Sequence, residues 1–237
     1  EEDGFYYDQL NTPGDQPAMK LKIRSMVGLI PLFACEVIEP EVLAKVPGFK
    51  KRMEWFLKYE PELSEHVQTD ETATGVGGKG HLLAILTRDR LVRVLKYLFD
   101  ENEFLSEYGI RGLSKAHEQT YGFNLDGKEF SIKYTPGESD TWLFGGNSNW
   151  RGPIWFPVNH LIIEALERYY FFYGDSLKVE CPTGSGNMMT LLDAAREIER
   201  RLSRIFLPGK DGNRPCHATN PGGDRYRDDP HFKDLIL

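Results

Sequence analysis

DTWLFGGNSNWRGPIW (140–155) carries Trp142, Trp150 and Trp155, three of the four tryptophans in the chain. Asp140, Asn147, Ser148, Asn149 and Arg151 are interleaved with them, and Gly145, Gly146 and Gly152 let the backbone turn tightly. Indole faces beside fixed donors and acceptors suit a sugar ring. The ring's C–H face stacks, and its hydroxyls pair with amide, carboxylate and guanidinium groups. A core loop in which the tryptophans merely pack is the competing interpretation. Pro153 fits a first helical turn, where its missing N–H is harmless. From there Ile154, Val158, Leu161, Ile162, Ala165, Leu166 and Tyr169 recur at helical spacing until Gly174 ends the segment.

Working outward, residues 187–206 repeat the pattern with Met188, Leu191, Leu192, Ala195, Ile198, Leu202 and Ile205. Arg196, Glu197, Glu199, Arg200, Arg201 and Arg204 form a solvated opposite face. On the other side, EFSIKYT (129–135) alternates Phe130, Ile132 and Tyr134 as a strand does, in a small hairpin. GIRGLSKAHEQ (109–119) fits either a turn or a short helix. Thr87 caps a helix to about Phe99, buried through Leu91, Val94, Leu95 and Leu98. HLLAIL (81–86) fits a short strand, and Pro47–Tyr59 a helix closed by Pro61. Ile23, Val27, Ile30, Ala34 and Ile38 predict a helix over 20–38, kinked at Pro31. Gly75, Gly77 and Gly80 satisfy G-x-G-x-x-G, but an acidic coil precedes them where a dinucleotide loop needs a strand, so a flexible loop is expected. Helices joined by long loops, with little strand and no βαβ rhythm, predict an all-α domain of helical hairpins with a minor β-hairpin, 1–237 forming one partial domain.

A formal net charge of −7 over 237 residues argues against nucleic acid and anionic membrane as partners. Apolar runs such as MVGLIPLFACEVI (26–38) stop short of the roughly 18–20 residues that a membrane span needs. Cys35, Cys181 and Cys216 are far apart and odd in number, and no Asn-x-Ser/Thr acceptor occurs. Three free thiols and a cytoplasmic location are therefore expected. The chain opens on the dense motif EEDGFYYD without a methionine and ends on an uncapped apolar run, as a piece cut from a longer protein would.

Glycosidic hydrolysis needs a protonated carboxyl for the leaving oxygen and a second carboxylate as base or nucleophile. No spacing singles out such a pair. Asp140 abuts the tryptophans and is the best local candidate for a sugar hydroxyl, followed by Asp3 and Asp8. The Asp224–Asp229 loop lacks an EF-hand spacing, so no metal ligand is assigned, and nothing calls for a cofactor.

SDTWLFGGNSNWRGPIWFPVNHLIIEAL (139–166) resembles the signature of the C-terminal catalytic domain of glycoside hydrolase family 63, with the microbial glucosidase-like members most similar. EEDGFYYD (1–8), GLIPLF (28–33), YGIRGLSKAH (108–117), VECPTGSGNMM (179–189) and RPCH (214–217) match the same branch. The resemblance implies an (α/α)6 toroid and hydrolysis of α-glucosidic linkages with inversion, through an Asp acid and a Glu base. It places the acid before EEDGFYYD and the base beyond Leu237, so this chain supplies the substrate-binding wall and is inactive alone. It carries over Trp150 and Arg151 as the sugar-contacting pair, with Asn147 and Asn149 as hydrogen-bonding partners. Trp155 and Asn159 match the helix start behind them, as contacts or only as pocket-shaping residues. The expected partner is an oligosaccharide or small glucoside. A trehalase-like or mannosylglycerate-type hydrolase on the same fold, or a non-catalytic sugar-binding or assembly module, fits the same wall.

Overall fold

The computed structural model describes residues 3–11, 17–62, 64, 66–125, 127–135, 154–218, 223–233 and 235. β1 (Asp8–Leu10) pairs antiparallel with β2 (Met19–Leu21), Asp8 opposite Leu21. A 3-10 helix, Met26–Phe33, leads into β3 (Cys35–Ile38), then α1 (Pro40–Lys45) and α2 (Pro47–Tyr59). β4 (Val67–Gln68) and β5 (His81–Ala84) complete a sheet of order β3–β5–β4. α3 (Arg88–Leu98) is followed by two hairpins, β6 (Leu105–Ser106) with β7 (Gly109–Ile110), and β8 (Tyr121–Leu125) with β9 (Lys128–Ile132). α4 (Phe156–Tyr173) precedes the hairpin of β10 (Lys178–Glu180) and β11 (Met188–Thr190). α5 (Leu191–Arg204) and the short α6 (Pro215–Ala218) and α7 (Gly223–Asp228) complete the described chain. No helix among the described residues is long and apolar enough to cross a membrane.

The all-α class predicted from the sequence does not hold. Among the described residues five small antiparallel sheets are threaded between the helices. Apart from β8 and β9, of five residues each, their strands run two to four residues, too short for a period of two to stand out from a helical stripe. Residues 20–38 are the clearest case. The expected helix is instead a strand, a 3-10 turn and another strand. Leu21 and Ile23 are buried two apart, and Met26, Leu29 and Leu32 three apart, the repeat of a 3-10 helix. Ile30, assigned to the buried stripe, is 42% exposed. Pro31 sits inside that short helix without ending it.

Other expectations stand as read. Thr87 caps α3 by accepting the Arg90 N–H, and the strand at 129–135 is β9, one side of a hairpin. Gly174 ends α4 in the left-handed region, φ 56°. The helix nevertheless starts at Phe156 with Pro157 in its first turn, while Pro153 lies outside the described residues. Arg201 also departs from the solvated face assigned to it. It is 7% exposed, and its guanidinium reaches Glu197 at 2.8 Å, Glu101 at 3.0 Å and the Ser106 carbonyl at 2.8 Å.

The core forms where α4 meets α5 and the buried face of α3, around Tyr169, Phe172, Tyr173, Leu95, Leu98 and Ile198. The glycine-rich loop 74–80 closes the far end of α4. N–H groups of Thr74, Gly75 and Gly77 donate to the carbonyls of Tyr173, Phe172 and Phe171 at 3.0, 3.2 and 2.9 Å. These are carbonyls that a helix end leaves without intrahelical partners. Arg88 ties the same place to α3, reaching Asp70 at 2.9 Å and the Ser176 carbonyl at 2.7 Å. The glycines are therefore needed for close approach. A Cβ at Gly75 would stand 2.2 Å from the Phe171 carbonyl oxygen, whereas one at Gly48 meets nothing within 4 Å. Gly75→Ala is expected to cost about 1–3 kcal/mol in chemical denaturation through overpacking. Gly48→Ala, in an exposed helical turn, should be neutral or stabilising by up to about 1 kcal/mol. Equal effects would contradict the close-approach role.

Candidate functional site

Ile110 is buried at the end of β7, and its N–H and C=O are both held by one side chain. Asn159 Oδ1 accepts the Ile110 N–H at 2.7 Å, and Asn159 Nδ2 donates to the Ile110 carbonyl at 3.0 Å. The amide thus presents an acceptor and a donor as a neighbouring strand would. Nδ2 also donates to the Trp155 carbonyl at 2.9 Å, which the Asn159 N–H reaches at 3.0 Å. Asn159 is 0% exposed, and its side chain is spent on backbone at the first turn of α4. Gly109 makes this possible: its φ is +118°, and a Cβ there would lie 2.6 Å from Leu202 and 3.0 Å from Asn159 Oδ1. Trp155 caps α4 with its carbonyl, and its half-buried ring packs against the main core. One residue before it, Ile154 bridges to Arg111.

Arg111 holds the other side of this segment. Its guanidinium gathers the carbonyls of Glu101, Glu103 and Leu105 at 3.1, 3.2 and 2.7 Å, and Nε donates to the Tyr134 hydroxyl at 3.2 Å. The Glu103 carboxylate is 8% exposed and takes hydrogen bonds from the Arg24 guanidinium and the Ser114 hydroxyl. The Arg24 N–H donates to His117 Nε2 at 2.8 Å, and Arg24 Nε to the Tyr7 hydroxyl at 3.3 Å. Tyr7 in turn donates to Asp3. A polar chain therefore runs Asp3, Tyr7, Arg24, Glu103, Ser114, beside a cavity of about 500 Å³ lined by Phe5, Tyr6, Tyr7, Lys20, Arg90 and Arg93.

Charge in this chain is fixed by its partners. Burial works against ionisation of Asp3, but bonds from Tyr7 and the Phe5 N–H, with the charge of Arg24, hold its carboxyl below the usual range. Burial and then the bond to Asp3 push the Tyr7 phenol up to about 12, against the pull of Arg24. At neutral pH Asp3 is thus an acceptor held by a neutral phenol, an arrangement that orients groups and does not supply protons. Elsewhere, burial pushes the Cys35 and Cys181 thiols up to about 11. Among the described residues no group of three or more His, Cys, Asp or Glu side chains could hold a metal ion.

Of the residues singled out in the sequence, Asp3, Asp8, Trp155 and Asn159 are described. Asp140, Asn147, Asn149, Trp150 and Arg151 lie outside the described residues. Asp3 and Asn159 are brought to two ends of one network through residues 103–111. Asp8 is half-buried on β1, opposite Leu21. Arg24, Glu103, Arg111 and Ser114 were not singled out. Arg111 and Ser114 fall within the quoted YGIRGLSKAH, but Arg24 and Glu103 meet across 79 residues of sequence, which no local pattern reveals.

Residues 80–182 match the family pattern described as the glycosyl hydrolase family 63 C-terminal domain. Over these residues the chain is similar to glycosyl hydrolase family 63. The match runs from the last residue of the glycine-rich loop over α3, the Arg111 segment, the tryptophan stretch and α4 to just past β10. An uncharacterized protein of Saccharomyces cerevisiae is 46% identical over 240 residues, covering 100% of this chain and 21% of that protein. A probable mannosyl-oligosaccharide glucosidase of Schizosaccharomyces pombe is 28% identical over 147 residues, covering 56% of this chain and 15% of that protein. The chain therefore spans about a fifth or less of the length of these curated relatives.

Asn159→Ala is expected to destabilise the fold by about 2–5 kcal/mol, since the buried Ile110 N–H and C=O each lose a partner worth about 1–3 kcal/mol. Asn159→Asp should rescue little, because an oxygen would then face the Ile110 and Trp155 carbonyls. Guanidinium denaturation checks this, and a loss below about 1 kcal/mol in the alanine variant would contradict the clamp.

Proposed function

We propose that this chain forms the substrate-binding wall of an inverting, α-glucosidase-type glycoside hydrolase acting on α-linked glucosyl oligosaccharides. The observation that carries the proposal is the family 63 match over residues 80–182, a range that includes Asp140–Trp155 and α4. The name of the Schizosaccharomyces pombe relative, a mannosyl-oligosaccharide glucosidase, supports the same bond class.

In this proposal Trp150 stacks on the sugar ring, and Arg151 holds hydroxyls or orients a catalytic carboxylate. Asn147, Asn149 and Asp140 pair with the remaining hydroxyls. Trp155 and Asn159 act as positioning residues. The clamp on Ile110 fixes the first turn of α4, and with it the point where the tryptophan stretch enters the helix. Inversion needs an acid and a base about 6.5–9.5 Å apart, with a water between base and sugar. We assign both carboxylates to sequence outside 1–237, which leaves Asp3 and its partners to shape the wall.

Turnover of α-linked glucosyl disaccharides by a protein of the relatives' length tests the proposal. Arg151→Ala is expected to lower kcat/KM by about 100-fold or more, the usual cost of removing one donor that stabilises developing charge. The melting temperature should stay near that of the parent protein. An unchanged rate would remove Arg151 from the site, and no glucose release by the parent would overturn the activity itself.

A further inference from the structure

α2 (Pro47–Tyr59) is a thirteen-residue helix without one buried side chain. Met53, Phe56 and Leu57 are half-buried on one side, while Phe49, Trp55 and Tyr59 face solvent, 52%, 55% and 56% exposed. Val42 on α1 and Val46 between the helices are also exposed. Trp55 and Tyr59, one turn apart, lie with ring centroids 5.5 Å apart and so make a ready-formed aromatic ledge. Within α2 stand Lys50, Lys51, Arg52 and Lys58 with one carboxylate, Glu54, and Glu60 follows at its C-terminus, in a chain whose formal net charge is −7. A helix with no fully buried side chain gains less from tertiary packing, which is where helices in proteins find most of their stability. Large aromatics left open together mark an interaction surface.

What covers this face is indicated by length. The Saccharomyces cerevisiae relative aligns with the whole of this chain, α2 included, yet this chain spans only 21% of it. The family 63 match begins at residue 80, so α1 and α2 lie outside that pattern. We propose that the α1–α2 face docks sequence of the same polypeptide outside 1–237, in a segment that offers an apolar slot for Trp55, Tyr59 and Phe49 rimmed by Asp and Glu. The apolar slot removes the aromatics from water, and the acidic rim answers Lys50, Lys51, Arg52 and Lys58. This docking does not rest on the glycosidase proposal, since none of its residues belongs to the proposed sugar wall.

Two readouts on a protein of the relatives' length test it. Hydroxyl-radical footprinting should find that Trp55 and Tyr59 have lost their reactivity, falling to the level of the buried Tyr169 and Tyr173 in the same molecule. Zero-length carbodiimide coupling should join Lys50, Lys51 or Lys58 to Asp or Glu beyond residues 1–237. Oxidation of Trp55 and Tyr59 at the rate of the urea-unfolded protein would overturn the proposal. So would protection that vanishes on dilution, as a second copy would give, or protection seen only on anionic vesicles. Cross-links confined to 1–237, such as Lys50 to Glu54, would overturn the acidic rim.

Discussion

The start of α4 depends on one buried amide. Asn159 satisfies both backbone groups of Ile110 and fastens the Trp155 carbonyl, so the β6–β7 hairpin and the helix entrance move as one piece. A side chain in this role tolerates few replacements, because a buried donor and a buried acceptor must both be met. Gly109 has no side chain to keep Asn159 away. Arg111 then fixes the opposite side of the hairpin by collecting three carbonyls of the preceding turn. The result is a rigid shelf of backbone directly before the tryptophan stretch re-enters the described chain at Ile154.

The far end of α4 is held differently. Loop 74–80 supplies N–H groups to its last carbonyls, and Arg88 brings α3 to the same point. A helix fastened at both ends and packed on α5 along its length is a firm support for a binding surface, the condition that specific recognition requires. The polar chain from Asp3 to Ser114 extends that support to the first residues of the chain. None of its residues lies on α2, which has no fully buried side chain.

Helices with strong local signals were legible in the sequence. Pro47–Tyr59 follows from its flanking prolines, α3 from its Thr87 cap, and the end of α4 from Gly174. Beyond β5 and β9 the small sheets were not legible, because strands this short are decided by their partners. β3 lies between a 3-10 helix and α1, and it is a strand because β5 pairs with it in full register. The same limit applied to charge. Arg201 reads as one more solvated arginine on α5 until Glu101 and the Ser106 carbonyl arrive from about a hundred residues away. Asn159 was visible only as a residue that contacts sugar or shapes the pocket. Its geometry engages the whole side-chain amide with backbone.

Only Ile154 and Trp155, the last residues of the proposed recognition segment, are described, and they are held by Arg111 and Asn159. Chemistry of the inverting kind leaves a signature that no packing argument can imitate. Proton NMR of the anomeric signal, recorded as a protein of the relatives' length begins to hydrolyse an α-linked glucosyl disaccharide, reads it directly. The account predicts that β-glucose appears first and mutarotates later. First release of α-glucose would contradict the inverting α-glucosidase assignment.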